Sequence, residues 1–377
     1  MRILIDGAGI AGLAAAVHLQ KQGHTITVID RAKDRSQQGY VLGVWSSLTY
    51  LGEAFNRKMA QKGLASQKLT IADKNGNPIR TWDLSPLNGA FGQVYIVNRT
   101  DLHRYLEEIV VNVPIRMNTG VTAITEKNDS VTVTFTDGKE QVFDLVIGAD
   151  GVHSAVRTIL FPEYKLRYFG LQFWMYFAPK PKIMPEDTTM IAENGRFFGA
   201  YPDNENNLFT IFALPAPKER LHHPEHASTL LKQEFTNFGW IVPDVLASLD
   251  ESADPFFDTT YEVHMQQWHT KRVVLIGDSA HALVATASMG ASMALEDAYV
   301  LADELAHLSG NNPESALICY QRRKEKRIAH VRRAAHFYGY LIRTSNSLQL
   351  SVRNGFLRTI PQSIFLHDIR AILSHPA

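Results

Sequence analysis

The chain has 377 residues, 45% hydrophobic and 20% charged, the proportions of an ordinary globular protein with room for one large domain or two interleaved ones. Lys+Arg and Asp+Glu balance at 38 each, so the totals point to neither nucleic acid nor an acidic membrane as partner. The single Cys319 excludes an internal disulfide and a cysteine metal cluster, suits a reducing cytosol, and reads as an inert core thiol.

No stretch is apolar for the roughly 18 residues a membrane span needs. The start, MRILIDGAGIAGLAAAVHL, has the basic residue and apolar run of a signal peptide. Its glycine spacing is better explained by a strand, a tight turn and a helix, which favours a cytoplasmic protein. Arg2 to Asp6 reads as an apolar strand, Ala11 to Lys21 as a helix stopped by Gly23, and His24 to Asp30 as a β-branched second strand. Between the first strand and the helix lies Gly7-x-Gly9-x-x-Gly12. Gly7 permits the turn, Gly9 lets backbone approach a pyrophosphate, and Gly12 lets helix and strand pack closely. Asp30, at the end of the second strand, would accept hydrogen bonds from an adenosine ribose. The unit predicts a dinucleotide without separating NAD from FAD.

Residues 96 to 110 read as a helix capped near Thr100 or Asp101, with Arg99 placed to reach a phosphate or to form a surface ion pair. Two alternating strands joined around Asp137-Gly138 follow. Next is an apolar strand from Phe143 to Ala149, ending in Asp150-Gly151, with Ser154 and Arg157 beyond it at helical spacing. From about 165 to 270, aromatic strand-like pieces alternate with loops, as an inserted antiparallel sheet with an apolar wall would, and 227 to 249 looks helical. RVVLI then leads into Gly277-Asp278, and a helix resumes near Gly290. A Gly-Asp at a strand end lets backbone come close to a ligand while the carboxylate accepts from its hydroxyls, and the helix start aims free N–H groups at the same place. The basic run at 322 to 333 reads as a solvated helix face. No H-E-x-x-H or other metal-ligand spacing is present, nor a Ser/His/Asp set, so no catalytic side chain is assigned.

Taken together, Gly7-Ala8-Gly9-Ile10-Ala11-Gly12, Asp150-Gly151-x-x-Ser154-x-x-Arg157 and Gly277-Asp278-Ser279-Ala280-His281 resemble, in order and spacing, the single-component FAD-dependent aromatic hydroxylases of the para-hydroxybenzoate or salicylate hydroxylase-like class. The resemblance runs from residue 1 to roughly 335. It implies an α/β fold: a Rossmann-like FAD-binding domain from 1–70, 95–165 and 270–335, a mostly antiparallel β-sheet substrate domain from 71–94 and 166–269, and C-terminal helices over 336–377. It further implies that Gly7, Gly9, Ile10, Ala11, Gly12, Asp30, Arg31 and Arg99 hold the ADP half of FAD. Asp150 would contact FAD and, transiently, NADPH or NADH. Asp278 would bind the ribityl chain or its phosphate, and Gly290 and Ala291 would face the flavin pyrimidine ring.

The activity so implied is an NAD(P)H-consuming monooxygenase that delivers oxygen from dioxygen, through a C4a-hydroperoxyflavin, to an aromatic or polyketide-like small molecule. The family usually has proline near 285 and Gly-Gln-Gly before the helix, where this chain has Ala285 and Ser288-Met289-Gly290. That departure motivates an alternative, a flavin oxidase, dehydrogenase or reductase without oxygen insertion. A binding protein on the same fold is the third reading. His281 is expected to be structural. The C-terminal helices would cap the substrate chamber, form a dimer contact or simply pack, in a monomer or homodimer.

Overall fold

The computed structural model describes residues 1–34, 40–202, 207–216, 227–249, 255–308 and 310–373. Its centre is a five-stranded parallel sheet in the order Val273–Leu275, Leu145–Gly148, Arg2–Asp6, Thr25–Ile29, Ile115–Arg116. The three inner strands read as continuous apolar runs because helices cover both faces. Helices Ile10–Lys21 and Gly290–Ala306 pack against each other on that sheet. Ile3, Leu4, Ile5, Val146, Ile147 and Val274 are fully buried in the resulting core.

The Asp137-Gly138 hairpin is present, but it joins the second and third of three strands, Val121–Glu126, Val131–Phe135 and Glu140–Phe143. The helix foreseen over 96 to 110 is instead a strand, Val94–Asn98, followed by helix Arg99–Ile109. Its cap is Asn98, whose side-chain oxygen accepts from the Thr100 amide at 2.9 Å, so the expected caps Thr100 and Asp101 already lie inside the first turn.

A seven-stranded sheet forms the second layer, in the order Phe256–Glu262, Arg167–Ala178, Leu208–Pro215, Arg196–Pro202, Thr188–Glu193, Lys68–Ala72, Pro78–Asp83. It is antiparallel apart from the pairing of Thr188–Glu193 with Lys68–Ala72. One face is covered by helices Ala227–Glu234 and Val242–Ser248 through Trp174, Phe198, Phe212 and Phe235. The chain closes with helices Glu314–Arg343, Ser347–Thr359 and Gln362–Leu373. None of the described helices is long and apolar enough to cross a membrane.

Two sequence readings change here. Cys319 is exposed on its helix, because its position falls between the buried positions Ala316, Leu317 and Tyr320. Within 322 to 333, Lys324 and Arg327 are buried in ion pairs and are not a solvated face.

Candidate functional site

Three strand ends stand side by side at one edge of the parallel sheet. In register, Asp6 lies beside Gly148, and Gly148 beside Leu275, so the turns that follow them are adjacent. Backbone bonds lock them: Ala149 donates to Asp6 at 2.7 Å, Ile276 to Gly148 at 3.0 Å, and Gly7 to Ile29 at 2.8 Å. The three signatures, separated in sequence, thus converge where open α/β sheets place their ligands.

Each glycine of the first turn has a distinct constraint. Gly7 has φ of +116°, and a Cβ there would lie 2.3 Å from the Ala149 oxygen. A Cβ on Gly12 would lie 1.9 Å from the Gly7 oxygen, so helix and turn meet backbone to backbone. Gly9, by contrast, faces open space, as does Gly290. Ile10 and Ala11 begin the first helix, and Gly290 and Ala291 begin the second, with Met289 as its cap and no side chain capping either start. Both helix starts therefore keep amides free for an electron-rich ligand.

Asp30 spans this turn. One carboxylate oxygen accepts from the Ala8 amide and the other from the Ala32 amide, both at 2.8 Å. Each oxygen retains a second lone pair. Arg31 is exposed and donates to the His153 carbonyl at 3.4 Å. Asp150 accepts from the Ala155 and Val156 amides at 2.6 and 3.1 Å through one oxygen, while the other is buried with no partner among the described residues. Burial raises the Asp150 carboxyl above the usual range, opposed by its bond to Ser154 and by the amides. Asp6, which sequence reasoning passed over, lies beside Asp150 and Asp30. Burial and those two carboxylates push it well up, against the pull of Arg31.

Asp278 follows Gly277, whose φ is +62°. Its side chain is exposed at the strand end, yet desolvation by the surrounding protein raises its carboxyl, His281 and Arg99 opposing the rise and Asp297 adding to it. Arg99 lies over the Tyr40 ring at 5.3 Å and donates its backbone N–H to the Tyr40 carbonyl at 2.7 Å. Asp258, from the edge of the larger sheet, is raised by burial and further by the Asp278 carboxylate, against the bond from the Thr259 amide. Neither Asp258 nor Tyr40 carries a sequence signal, because each is brought in by another layer.

Behind the groove, His281 Nε2 is 2.6 Å from Asp297 Oδ2, which also accepts from the Gly277 amide at 2.8 Å. Lys324 sits between Glu296 and Asp297 at 2.8 and 3.3 Å. His281 is buried there, positioning the Gly277-Asp278 turn. Arg157 joins two signatures directly, donating to the carbonyls of Ser279 at 2.9 Å and Val152 at 2.5 Å.

The free face of the larger sheet looks toward helix Glu314–Arg343. Cross-strand register lays out three rows on it: Phe173, Ala213 and Phe197; Met175, Ile211, Gly199 and Met190; Phe177, Phe209 and Tyr201. Gly199 leaves the gap over which Tyr201 folds, since a Cβ there would lie 3.1 Å from the phenol oxygen. Tyr201 is 7% exposed, and burial alone drives its phenol far above the ordinary range, with no hydrogen-bond partner for the hydroxyl among the described residues. The nearby Ala285–Ala287 turn is pinned to the helix by Thr286, which donates to the Ala335 carbonyl at 2.6 Å. No group of His, Cys, Asp and Glu that could hold a metal occurs among the described residues.

Comparison with known proteins agrees with this geometry. Residues 1–335 match the family described as FAD binding domain. The chain is 28% identical over 368 residues to 2-heptyl-3-hydroxy-4(1H)-quinolone synthase of Pseudomonas aeruginosa, covering 96% of this chain and 95% of that one. It is 28% identical over 362 residues to aurachin C monooxygenase/isomerase of Stigmatella aurantiaca, covering 95% and 94%. Among solved structures, Klebsiella pneumoniae HpxO complexed with FAD and uric acid superposes with a TM-score of 0.89 at 23% identity, covering 100% of this chain and 97% of that one.

Proposed function

We infer that this chain, which belongs to the FAD binding domain family, is an FAD-dependent monooxygenase acting on an electron-rich aromatic or polyketide-like small molecule, with NADH or NADPH as transient reductant and dioxygen as the oxygen source. The observation that carries the reading is the convergence of the Gly7, Asp150 and Gly277 turns on one edge of the parallel sheet, opposite an aromatic sheet face.

The residues fit the cofactor. Gly9 and Gly290 leave backbone open where a flat or phosphorylated group must come close, and Asp150 has a buried oxygen without a partner among the described residues. Gly7, Gly9, Ile10, Ala11 and Gly12 would hold the pyrophosphate, with Asp30, Arg31 and Arg99 toward the adenosine half. The spare lone pairs of Asp30 remain available to ribose hydroxyls. Asp278 would take the ribityl chain, and the amides of Gly290 and Ala291 would favour negative charge on the flavin pyrimidine edge. Bound there, FAD supplies the redox and oxygen-activating chemistry; the protein supplies orientation and dryness.

On the substrate side, an apolar wall with the Tyr201 hydroxyl as a polar handle suits a lipophilic aromatic molecule carrying a hydrogen-bond acceptor. Tyr201 stays protonated and donates to it, while Phe197, Phe209, Ile211 and Met175 exclude water. 4-Quinolones are apt first candidates, because a relative named for that ring system spans nearly the whole chain.

The test is an absorbance spectrum of the purified protein, followed anaerobically as NADH or NADPH is added with phenols, 4-quinolones or polyketides. Oxidised-flavin bands that bleach faster with one candidate, then labelled oxygen from dioxygen in the product, are expected. Absence of flavin bands even after FAD is added removes the reading. Hydrogen peroxide without labelled product would make the protein an oxidase.

A further inference from the structure

The balanced totals conceal an uneven distribution. From Lys326 to His367 the chain contains no Asp or Glu, yet it carries Lys326, Arg327, Arg332, Arg333, Arg343, Arg353 and Arg358. Lys326, Arg333, Arg343 and Arg358 are exposed. The same segment holds six of the large apolar side chains left open to water: Phe337, Tyr340, Leu348, Val352, Phe356 and Ile364.

Helix Ser347–Thr359 is apolar on two sides and covered on only one. Leu350 and Leu357 are buried, and Arg353 ties that side down through the carbonyls of Ala192 at 2.7 Å and Leu341 at 3.1 Å. On the other side Leu348, Val352 and Phe356 recur at four-residue spacing, so they form one stripe, and they are 71%, 65% and 51% exposed. Phe337 and Tyr340 stand one turn apart on the preceding helix, which the Arg353–Leu341 bond holds against this one. A monomer rarely leaves such a stripe in water without a partner.

We propose that this face docks on the surface of an anionic lipid bilayer, with the stripe in the headgroup boundary and the arginines on lipid phosphates. Cations beside an apolar stripe, in a segment that itself carries no acid and meets Asp73 only near Arg358, complement such a surface. A second copy of the chain fits worse: a two-fold contact through this face sets one cationic face against another. Because helix Glu314–Arg343 also anchors the Ala285–Ala287 turn, docking brings the substrate side of the molecule to the lipid. That last consequence rests on the proposed function; docking itself does not.

The experiment is co-sedimentation of the flavin-loaded protein with phosphatidylcholine vesicles, with and without phosphatidylglycerol, at low and high salt. Binding only to the anionic vesicles, weakened by salt, is expected. The triple variant Leu348→Ser/Val352→Ser/Phe356→Ser and the double variant Arg333→Glu/Arg358→Glu should each lose about tenfold in partition. These side chains are exposed, so melting temperature and flavin spectrum should not move, which keeps a failure here distinct from a failure of the flavin reading. No binding to anionic vesicles, or equal binding to neutral ones, overturns the proposal. So does a concentration-dependent dimer that the triple variant abolishes without any vesicle binding.

Discussion

Asp6 is a residue whose ionisation the fold resists. Its neighbours Asp150 and Asp30 repel its charge and its burial removes water from it, so the folded pKa stands well above the ordinary 3.8. For a carboxyl raised on folding, stability is fully present below the unfolded value and is lost as pH rises through the folded one. Asp6→Asn keeps the neutral form at every pH. Thermal melts should therefore show no gain for the variant in acid below 3.8 and a higher melting temperature at neutral pH. A gain that is constant with pH would place the effect in packing instead. Tyr201 poses the opposite case, a neutral donor held ready. Tyr201→Phe should raise KM for an acceptor-bearing substrate by roughly three- to tenfold, the range of one neutral hydrogen bond. Flavin reduction in the absence of substrate should be unchanged. Ser288 explains part of the departure from Gly-Gln-Gly: it sits at φ 51°, the left-handed region, and so makes the turn before the helix that glycine makes at lower strain.

Helix Gly290–Ala306 and helix Glu314–Arg343 are joined by buried charge. Lys324, fully buried, answers Glu296 and Asp297, and Arg327 answers Glu296 again at 2.8 Å. Burial pushes the Asp297 carboxyl up, but His281 and Lys324 outweigh it and hold it below the usual range. Stability from Asp297 is therefore present above the unfolded pKa and is lost as pH falls through the lower folded value. Lys324→Met leaves two buried carboxylates with less compensation and should cost about 3–5 kcal/mol in chemical denaturation at neutral pH. The gap to the parent protein should narrow in acid, where the carboxylates are protonated; a gap that widens there would contradict the pairing. This network was closed to sequence reading, since Glu296 and Arg327 lie 31 residues apart in a stretch that reads as ordinary charged helix. The Gly7, Asp150 and Gly277 turns were legible because their chemistry is local: positive φ and close backbone approach demand glycine at fixed offsets. The cap at Asn98 was missed because Thr100 and Asp101 are equally good cap types and only the strand ending at Asn98 decides among them. Tyr201 was one aromatic among many until pairing with Phe209 fixed which face it shares.

At the scale of the whole molecule, the cofactor groove is complete only when the chain returns. Strand Val273–Leu275 joins the parallel sheet only after the strands of the seven-stranded sheet have passed in the chain, and it brings Gly277 beside the turn that ends in Asp150. Arg157 is the tie between these distant segments, since it reaches the Ser279 carbonyl across 122 residues of chain and the Val152 carbonyl within its own turn. A ligand held by both turns should stabilise the fold by mass action, by about 2.7 kcal/mol at a hundredfold excess over its Kd. The melting temperature should thus climb with added FAD. Arg157→Ala leaves the buried Ser279 carbonyl and the half-buried Val152 carbonyl without their donor, a loss of about 1–3 kcal/mol, and lets the two turns separate. If the arginine positions the cofactor groove, the variant should bind FAD at least several-fold more weakly, and the melting temperature gained from a given FAD concentration should shrink. If it only fastens two loops, the variant should melt lower by the same amount with and without FAD, and its FAD affinity should stay that of the parent.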